Sequence, residues 1–369
     1  MKRIHIYFLS LLCLMTACER EELVPGVSLA EITASVEPYD GETATKANVT
    51  GTSFEVGDWI RMKLICPFSP DTQDGETLDQ SHNSFWLLRY NGNGSLGRML
   101  ESDGCDINGD FIASNASDLM SQRLSQQTPY VFTASTWNEE VSFYTGSSLL
   151  LHYSCTFRAD QSRADGSDYK KNDLLWGQQF MQTATSHVHI TFKHKMAALQ
   201  ITLDDSAVTA AGQDPISADA VLTLEGMPDI DQMDVVVGDY YADKDASQTA
   251  YGYWQQASCS MANNGHVIGV VVLDHSAGVA RTYSMTGNPT PAGGAKNSQT
   301  WGTIANTGTY TAFHDTQNGV YRMIVPPCVL SQSPVFYLRD KGRRFKVVFT
   351  QTTFEEGKMY KFNLKVNPA

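Results

Sequence analysis

The chain has no CxxC pair, no phosphate-binding glycine loop, no G-x-S-x-G elbow and no H-E-x-x-H helix. With them go the zinc, thioredoxin-like, nucleotide-binding, hydrolase and zinc-protease readings that those spacings would support. Cysteine is sparse, with seven in 369 residues. Cys13 and Cys18 fall near the N-terminus. The other five, Cys66, Cys105, Cys155, Cys259 and Cys328, are an odd and widely scattered set that defines no disulfide scaffold. They read either as buried thiols or as one or two incidental disulfides formed in an oxidising compartment. Basic residues are also few: 27 Lys and Arg face 40 Asp and Glu, for a net charge of −13. That balance argues against nucleic acid, whose recognition needs clustered positive charge. Runs of Glu, Lys, Leu and Ala are absent, and past the N-terminus no apolar stretch reaches membrane-spanning length.

What remains is a globular composition, 42% apolar and 10% aromatic, in a chain long enough for two domains. Thr, Ser, Gly, Asn and Val are plentiful, which favours strands and turns. The N-terminus is a targeting segment. Lys2 and Arg3 form a charged lead, "IHIYFLSLLCLM" a short apolar core, and "TAC" a small-residue end at Cys18. "LMTAC" also matches a bacterial lipobox, in which the signal is cut before the cysteine and the sulfur takes a diacylglycerol. An ordinary signal peptide with a chance cysteine is the plainer alternative. Acyl chains contribute about 0.8 kcal/mol per buried methylene, so a multiply acylated Cys18 would hold the protein firmly at a lipid surface.

Along the chain, "EREELVPG" reads as an acidic tether. "VSLAEITASVEPY" alternates Ala30, Ile32, Ala34 and Val36 with Glu31, Thr33 and Ser35, a strand pattern. A polar stretch follows, holding a lone Lys46-Ala47 step that is either a solvated linker or a protease site. "FEVGDWIRMKLI" predicts a strand, a Gly-Asp turn and a second strand. "FWLLRY", "YVFTAST" and "VSFYTG" predict further strands, "FRADQSRADGSDYKKND" a polar loop and "NDLLWGQ" a short apolar strand. In "HVHITFKHKMAALQITLDD" the alternation is broken by "KHKMAA", and the segment closes a first domain and crosses into a second. Residues 206–219 predict a loop or short helix. "AVLTLEGM", "DVVVGDYY", "HVIGVVVLD", "YRMIVPPCVL", "PVFYLRD", "RRFKVVFT" and "MYKFNLKV" predict strands. The expected fold class is all-β, as two β-sandwich domains. The expected divisions are a signal peptide at 1–18, a tether and leader strand at 19–46, an N-terminal domain at 47–205 and a C-terminal domain at 206–369.

Chemistry is sparse. His187 and His189 share one strand face and His194 takes the other. No Cys, Asp or Glu stands at a diagnostic distance, so they read as surface rather than metal ligands. "DINGD" at 106–110 has its glycine one place early for a calcium loop and reads as a turn. Ser167 and Lys170 match S-x-x-K, which requires a helix, whereas their surroundings predict a loop. Asp204-Asp205 and Glu355-Glu356 are adjacent pairs that a strand would point to opposite faces, not an acid/base couple. No catalytic residue, metal or cofactor is expected. Tyr251, Tyr253 and Trp254, with Trp301 and Tyr310 in the stretch 287–310, lie among Asn, Asp and Gln. They are the candidate positions for a glycan or host ligand, against the plainer reading of core packing and loop aromatics.

"GTSFEVGDWI", "NDLLWGQ", "VHITFKHKMAALQITL", "YRMIVPPCVL" and "FEEGKMYKFNLKV", in that order behind a lipobox, resemble the fimbrillin family, the type V pilins. The resemblance covers about residues 30–366. It implies two β-sandwich domains of transthyretin-like topology, export as an outer-membrane lipoprotein through Cys18, and assembly at the cell surface. It further implies that a trypsin-like surface protease removes an N-terminal strand after a basic residue, and that a strand from another fimbrial subunit refills the groove. Lys46-Ala47 matches that site, although arginine is the more usual residue, and "VSLAEITASVEPY" corresponds to the removable strand. Stalk subunits continue beyond the final "YxFNLxV" strand, whereas this sequence ends at "NPA". The resemblance therefore implies a tip or accessory subunit serving adhesion. The alternative is a surface lipoprotein that keeps its leader, never polymerises, and binds glycan or host protein.

Overall fold

Alternation of inward and outward side chains is the rule by which this protein is assembled. It is plainest in β10 (His187–His194), where Val188, Ile190, Phe192 and His194 are buried and His187, His189 and Lys193 are exposed. In the computed structural model, the structure describes residues 26–28, 31–40, 54–65, 84–92, 94–98, 123–125, 130–137, 151–181, 187–237, 241–244, 251–264, 266–279, 300–301 and 307–368. Cys18, Lys46, Ala47, Cys66, Cys105, "DINGD" and "VSFYTG" lie outside the described residues. Among the described residues no helix is long and apolar enough to cross a membrane.

The fold is all-β. One sheet contains β2 (Glu31–Val36), β3 (Trp59–Ile65), β4 (Ser84–Gly92), β5 (Ser95–Arg98), β7 (Tyr130–Trp137), β9 (Leu175–Met181) and β10. Its order is β10-β2-β5-β4-β3-β7-β9, and β9 pairs back onto β10 so that the sheet closes on itself. Every pairing is antiparallel except that of β2 with β10. The β2–β5 seam is a single residue pair, Thr33 with Ser95.

The polypeptide leaves that sheet at His194 and enters the next at Ala197. Here β11 (Ala197–Asp204) is central in the order β19 (Phe313–Asp315), β20 (Val320–Val325), β11, β25 (Met359–Lys365). A second four-stranded sheet runs β18 (Gly308–Thr311), β12 (Val221–Met227), β22 (Val335–Asp340), β23 (Arg343–Val348). Leu199, Ile201, Met323, Leu222, Leu224, Phe336 and Leu338 belong to one buried cluster between these elements. A third sheet is built on the long hairpin of β15 (Tyr251–Asn263) and β16 (His266–Val279). It includes β8 (Leu151–Thr156), β13 (Gln232–Val237), β14 (Tyr241–Lys244) and β17 (Thr300–Trp301). Two small pairs, β1 (Gly26–Ser28) with β6 (Arg123–Ser125) and β21 (Cys328–Val329) with β24 (Thr353–Phe354), complete the strands.

Three expectations differ from the structure. "FEV" makes no strand: the Asp58 carboxylate accepts from the Glu55 N–H at 2.8 Å and the Asp58 N–H donates to the Glu55 carbonyl at 2.9 Å, which curls Phe54–Asp58 into a turn. Phe54 is buried there, edge-on to Phe192. The polar loop around 158–173 contains helix α1 (Ser167–Lys171), fixed by burial of Tyr169 against Phe313 and by the Arg158–Asp168 ion pair at 2.9 Å. Gly166, at φ +70°, starts it where a Cβ would come within 3.1 Å of the Phe313 ring. The break expected at "KHKMAA" falls at Lys195 and Met196, between β10 and β11, and both residues are buried. Finally, the stretch 287–310 is not one long loop: Trp301 lies in β17, and Tyr310 is a core residue of β18 whose hydroxyl donates to the Pro228 carbonyl at 2.7 Å. The expected short helix after residue 205 is α2 (Ser206–Ala210). Of the cysteines, Cys155, Cys259 and Cys328 are buried.

Candidate functional site

Residues 31–40 lie in a groove that other parts of the chain build for them. On one side β2 pairs with β10 over six residues, from Glu31 with His187 to Val36 with Phe192. On the other it touches β5 only at Thr33, helped by an Ala34 N–H to Gly94 carbonyl bond of 2.7 Å. The strand is therefore seated firmly on one edge and lightly on the other. Ile32 and Ala34 point into the interior and are buried, because the alternation that opens the sequence puts apolar groups on that face. Thr33 and Ser35 point outward and share one imidazole: His189 Nδ1 lies 2.9 Å from Thr33 Oγ1 and Nε2 lies 2.9 Å from Ser35 Oγ.

Beyond β2 the segment continues across to the C-terminal sheets. The Glu37 N–H donates to the Phe192 carbonyl at 2.8 Å. The Asp40 N–H donates to the Gly357 carbonyl at 2.8 Å, and the Met359 N–H returns a 2.9 Å bond to the Asp40 carbonyl. Asp40 and Lys358 form a parallel bridge, so the same ten residues hold to β10 at one end and to the start of β25 at the other.

Between those anchors sits Tyr39, only 1% exposed. Its ring stacks on His194 with centroids 3.6 Å apart and planes 18° apart. Its hydroxyl donates to Asp173 Oδ1 at 2.7 Å. His194 Nδ1 lies 2.8 Å from Asp173 Oδ2, and His194 Nε2 is buried with no hydrogen-bond partner among the described residues. A phenol hydrogen bond to a carboxylate is of the stronger, charge-assisted class, worth about 1.5–3 kcal/mol. Burying Ile32 and Tyr39 contributes roughly 1.5–3 kcal/mol each, and Ala34 less. The segment is thus held by several kcal/mol of contacts that its removal would forfeit.

His187 and His189 are exposed on β10 and His194 is buried on the opposite face. Among the described residues no group of three or more His, Cys, Asp or Glu is placed to hold a metal. Ser167 and Lys170 do share a helix, but Lys170 Nζ is engaged by Glu55, which leaves no serine–lysine couple. Tyr251, Tyr253 and Trp254 share β15, and Trp301 lies apart from them. Tyr253 pairs with Gly278 near one end of the β15–β16 hairpin, whereas Trp301 pairs with Gly269. Nine residues of strand separate those positions, or about 30 Å at the usual rise. The socket of Tyr39, Asp173 and His194 had no local sequence signal, since Tyr39 and Asp173 are 134 residues apart.

A family model described as fimbrillin-like matches residues 125–369. No curated protein matches the chain. Several solved structures resemble it. A Bacteroides ovatus protein provisionally assigned to cell adhesion has 13% identity and a TM-score of 0.47, with 92% of each chain covered. A Bacteroides uniformis protein with the same provisional assignment has 13% identity and a TM-score of 0.46, over 93% of this chain and 94% of that one. A fimbrial protein from Bacteroides ovatus has 13% identity and a TM-score of 0.36, covering 93% of this chain and 49% of its own. The family assignment rests on the family model alone.

Proposed function

Because this chain belongs to the fimbrillin-like family, we propose that it is a fimbrial subunit assembled by exchange of its leader strand. Membership makes it an adhesive, fimbrial-type protein of the cell surface rather than an enzyme. In the proposed sequence of events Cys18 is lipidated and carries the precursor to the outer membrane. A trypsin-like surface protease cuts between Lys46 and Ala47, and the segment ending at Asp40 leaves with the cut piece. A strand of another fimbrial subunit then occupies the vacated groove by strand addition.

The observation that carries this reading is the seating of β2. It is paired along its whole length with β10 and joined to β5 at one residue pair, so its departure, with that of β1 from β6, leaves the remaining pairs of the closed sheet in place. Its loss would bare the β10 edge and a strip of interior, which favours capture of a replacement. β25 is committed to its own core, paired with β11 from Met359 to Lys365. That commitment supports a subunit that accepts a strand and does not give this one, as at a tip or an accessory position.

The depth of Tyr39 favours a second reading, a surface lipoprotein that keeps its leader and binds glycan or host protein. Replacing Lys46 with Gln in the native cell separates the two. The exchange reading expects the variant to stay monomeric on the surface while the unaltered protein runs in polymers that resist detergent until heated. Equal behaviour of the two proteins would favour the leader-retaining lipoprotein.

A further inference from the structure

We infer that the groove reads its incoming strand through the Asp173–His194 socket, and that the strand it accepts carries a tyrosine there. This rests on the exchange reading above and adds the chemistry that selects the partner. A bare groove offers main-chain groups on β10, an apolar strip, and, at its far end, a carboxylate and an imidazole. The first two accept almost any apolar strand. The third does not. With Tyr39 gone, Asp173 keeps His194 but loses its phenol donor, and the His194 ring loses the aromatic face stacked at 3.6 Å. Among the described residues His194 Nε2 is buried without a partner as well, so the socket is already one polar contact short. An aliphatic side chain would leave that carboxylate without its phenol donor and the imidazole without its stacked ring, and a phenylalanine would stack but not donate.

The leader itself gives the spacing. The socket residue follows the two buried groove residues by seven and five positions, Ile32 and Ala34 to Tyr39. Hydroxyls at the two outward positions between and beside them meet His189. Two residues short of the aromatic, a main-chain N–H donates to the Phe192 carbonyl. One residue past it, the Gly357 carbonyl and Met359 N–H take two more. The partner is therefore an extended segment of another fimbrial subunit, about ten residues long. It has an apolar residue, a small residue two places on, and a tyrosine five places after that.

The test uses the full chain with residues 41–46 replaced by the recognition sequence of a specific endoprotease, so it does not depend on processing at Lys46. After cleavage, fluorescent peptides spanning residues 26–40 are supplied in excess and their uptake is followed by anisotropy. The Tyr39 peptide is expected to bind about 10- to 100-fold more tightly than its Tyr39→Phe counterpart. That gap should close in Asp173→Ala and narrow in Asp173→Asn, the second serving if the first fails to fold. Equal uptake of the two peptides, a gap indifferent to Asp173, or no uptake of either overturns the inference. Failure of the exchange reading would register separately, as native protein that keeps its leader while the peptide selectivity stands.

Discussion

At the scale of single residues, three groups show how tightly this fold constrains its chemistry. Gly177 in β9 lies so close to β10 that a Cβ would meet Ile190 Cγ2 at 2.6 Å and the Thr191 carbonyl at 2.9 Å. Gly177→Ala should therefore lower stability by about 1–3 kcal/mol, read as a fall in the urea midpoint; an unchanged midpoint would contradict that packing. Burial pushes the Cys328 thiol up to about 12, so it stays protonated and unreactive at neutral pH. Native protein treated with iodoacetamide should leave Cys328 unmodified in peptide mass spectra, whereas unfolded protein should be alkylated there. Burial alone would raise the Asp315 carboxyl, but hydrogen bonds from Asn318 and Arg322 outweigh it and hold the group below its ordinary value. The unfolded chain then takes up this proton first as pH falls. The stabilisation is complete above about pH 4 and is lost as pH drops through the lower folded value. Asp315→Asn should flatten that acid limb of a urea-midpoint titration. It should also cost about 3–5 kcal/mol at neutral pH by stranding the buried Arg322.

At the scale of elements, the leader strand is the part whose sequence and structure agree most directly. Alternation of Ile32 and Ala34 with Thr33 and Ser35 was legible because a half-buried strand writes its two faces into adjacent residues. The same is true of β10, β22 and β25. Ile32→Ala should remove about 2–4 kcal/mol from the local stability of the leader, seen as faster hydrogen exchange of β10 amides with little change in β11. Uniform exchange across both strands would mean that the leader does not open by itself. Elements shaped by distant contacts were not legible. Helix α1 reads as loop because most of its residues are polar, and it is ordered by remote contacts, Tyr169 on Phe313 and Asp168 with Arg158. "FEV" has the composition of a strand, yet Asp58 curls it into a turn. The candidate site divides in the same way. Its apolar strip could be read from residues 32 and 34, whereas its socket joins Tyr39, Asp173 and His194 from three remote segments.

At the scale of the whole molecule, ten residues near the N-terminus tie the closed sheet to the C-terminal sheets, through β10 at one end and Gly357–Met359 at the other. Their removal would do more than bare an edge, since it would also cut this main-chain link and open the buried pair of Asp173 and His194. A refilling strand would restore both, and so couple assembly to the stability of the subunit. The most direct test is the intact mass and N-terminal sequence of the protein recovered from the surface of its native cells. The exchange account predicts a mature start at Ala47 in material that runs as polymers. A lipid-modified start at Cys18, with residues 31–40 still in their groove, would contradict it and leave a self-complemented surface lipoprotein in its place.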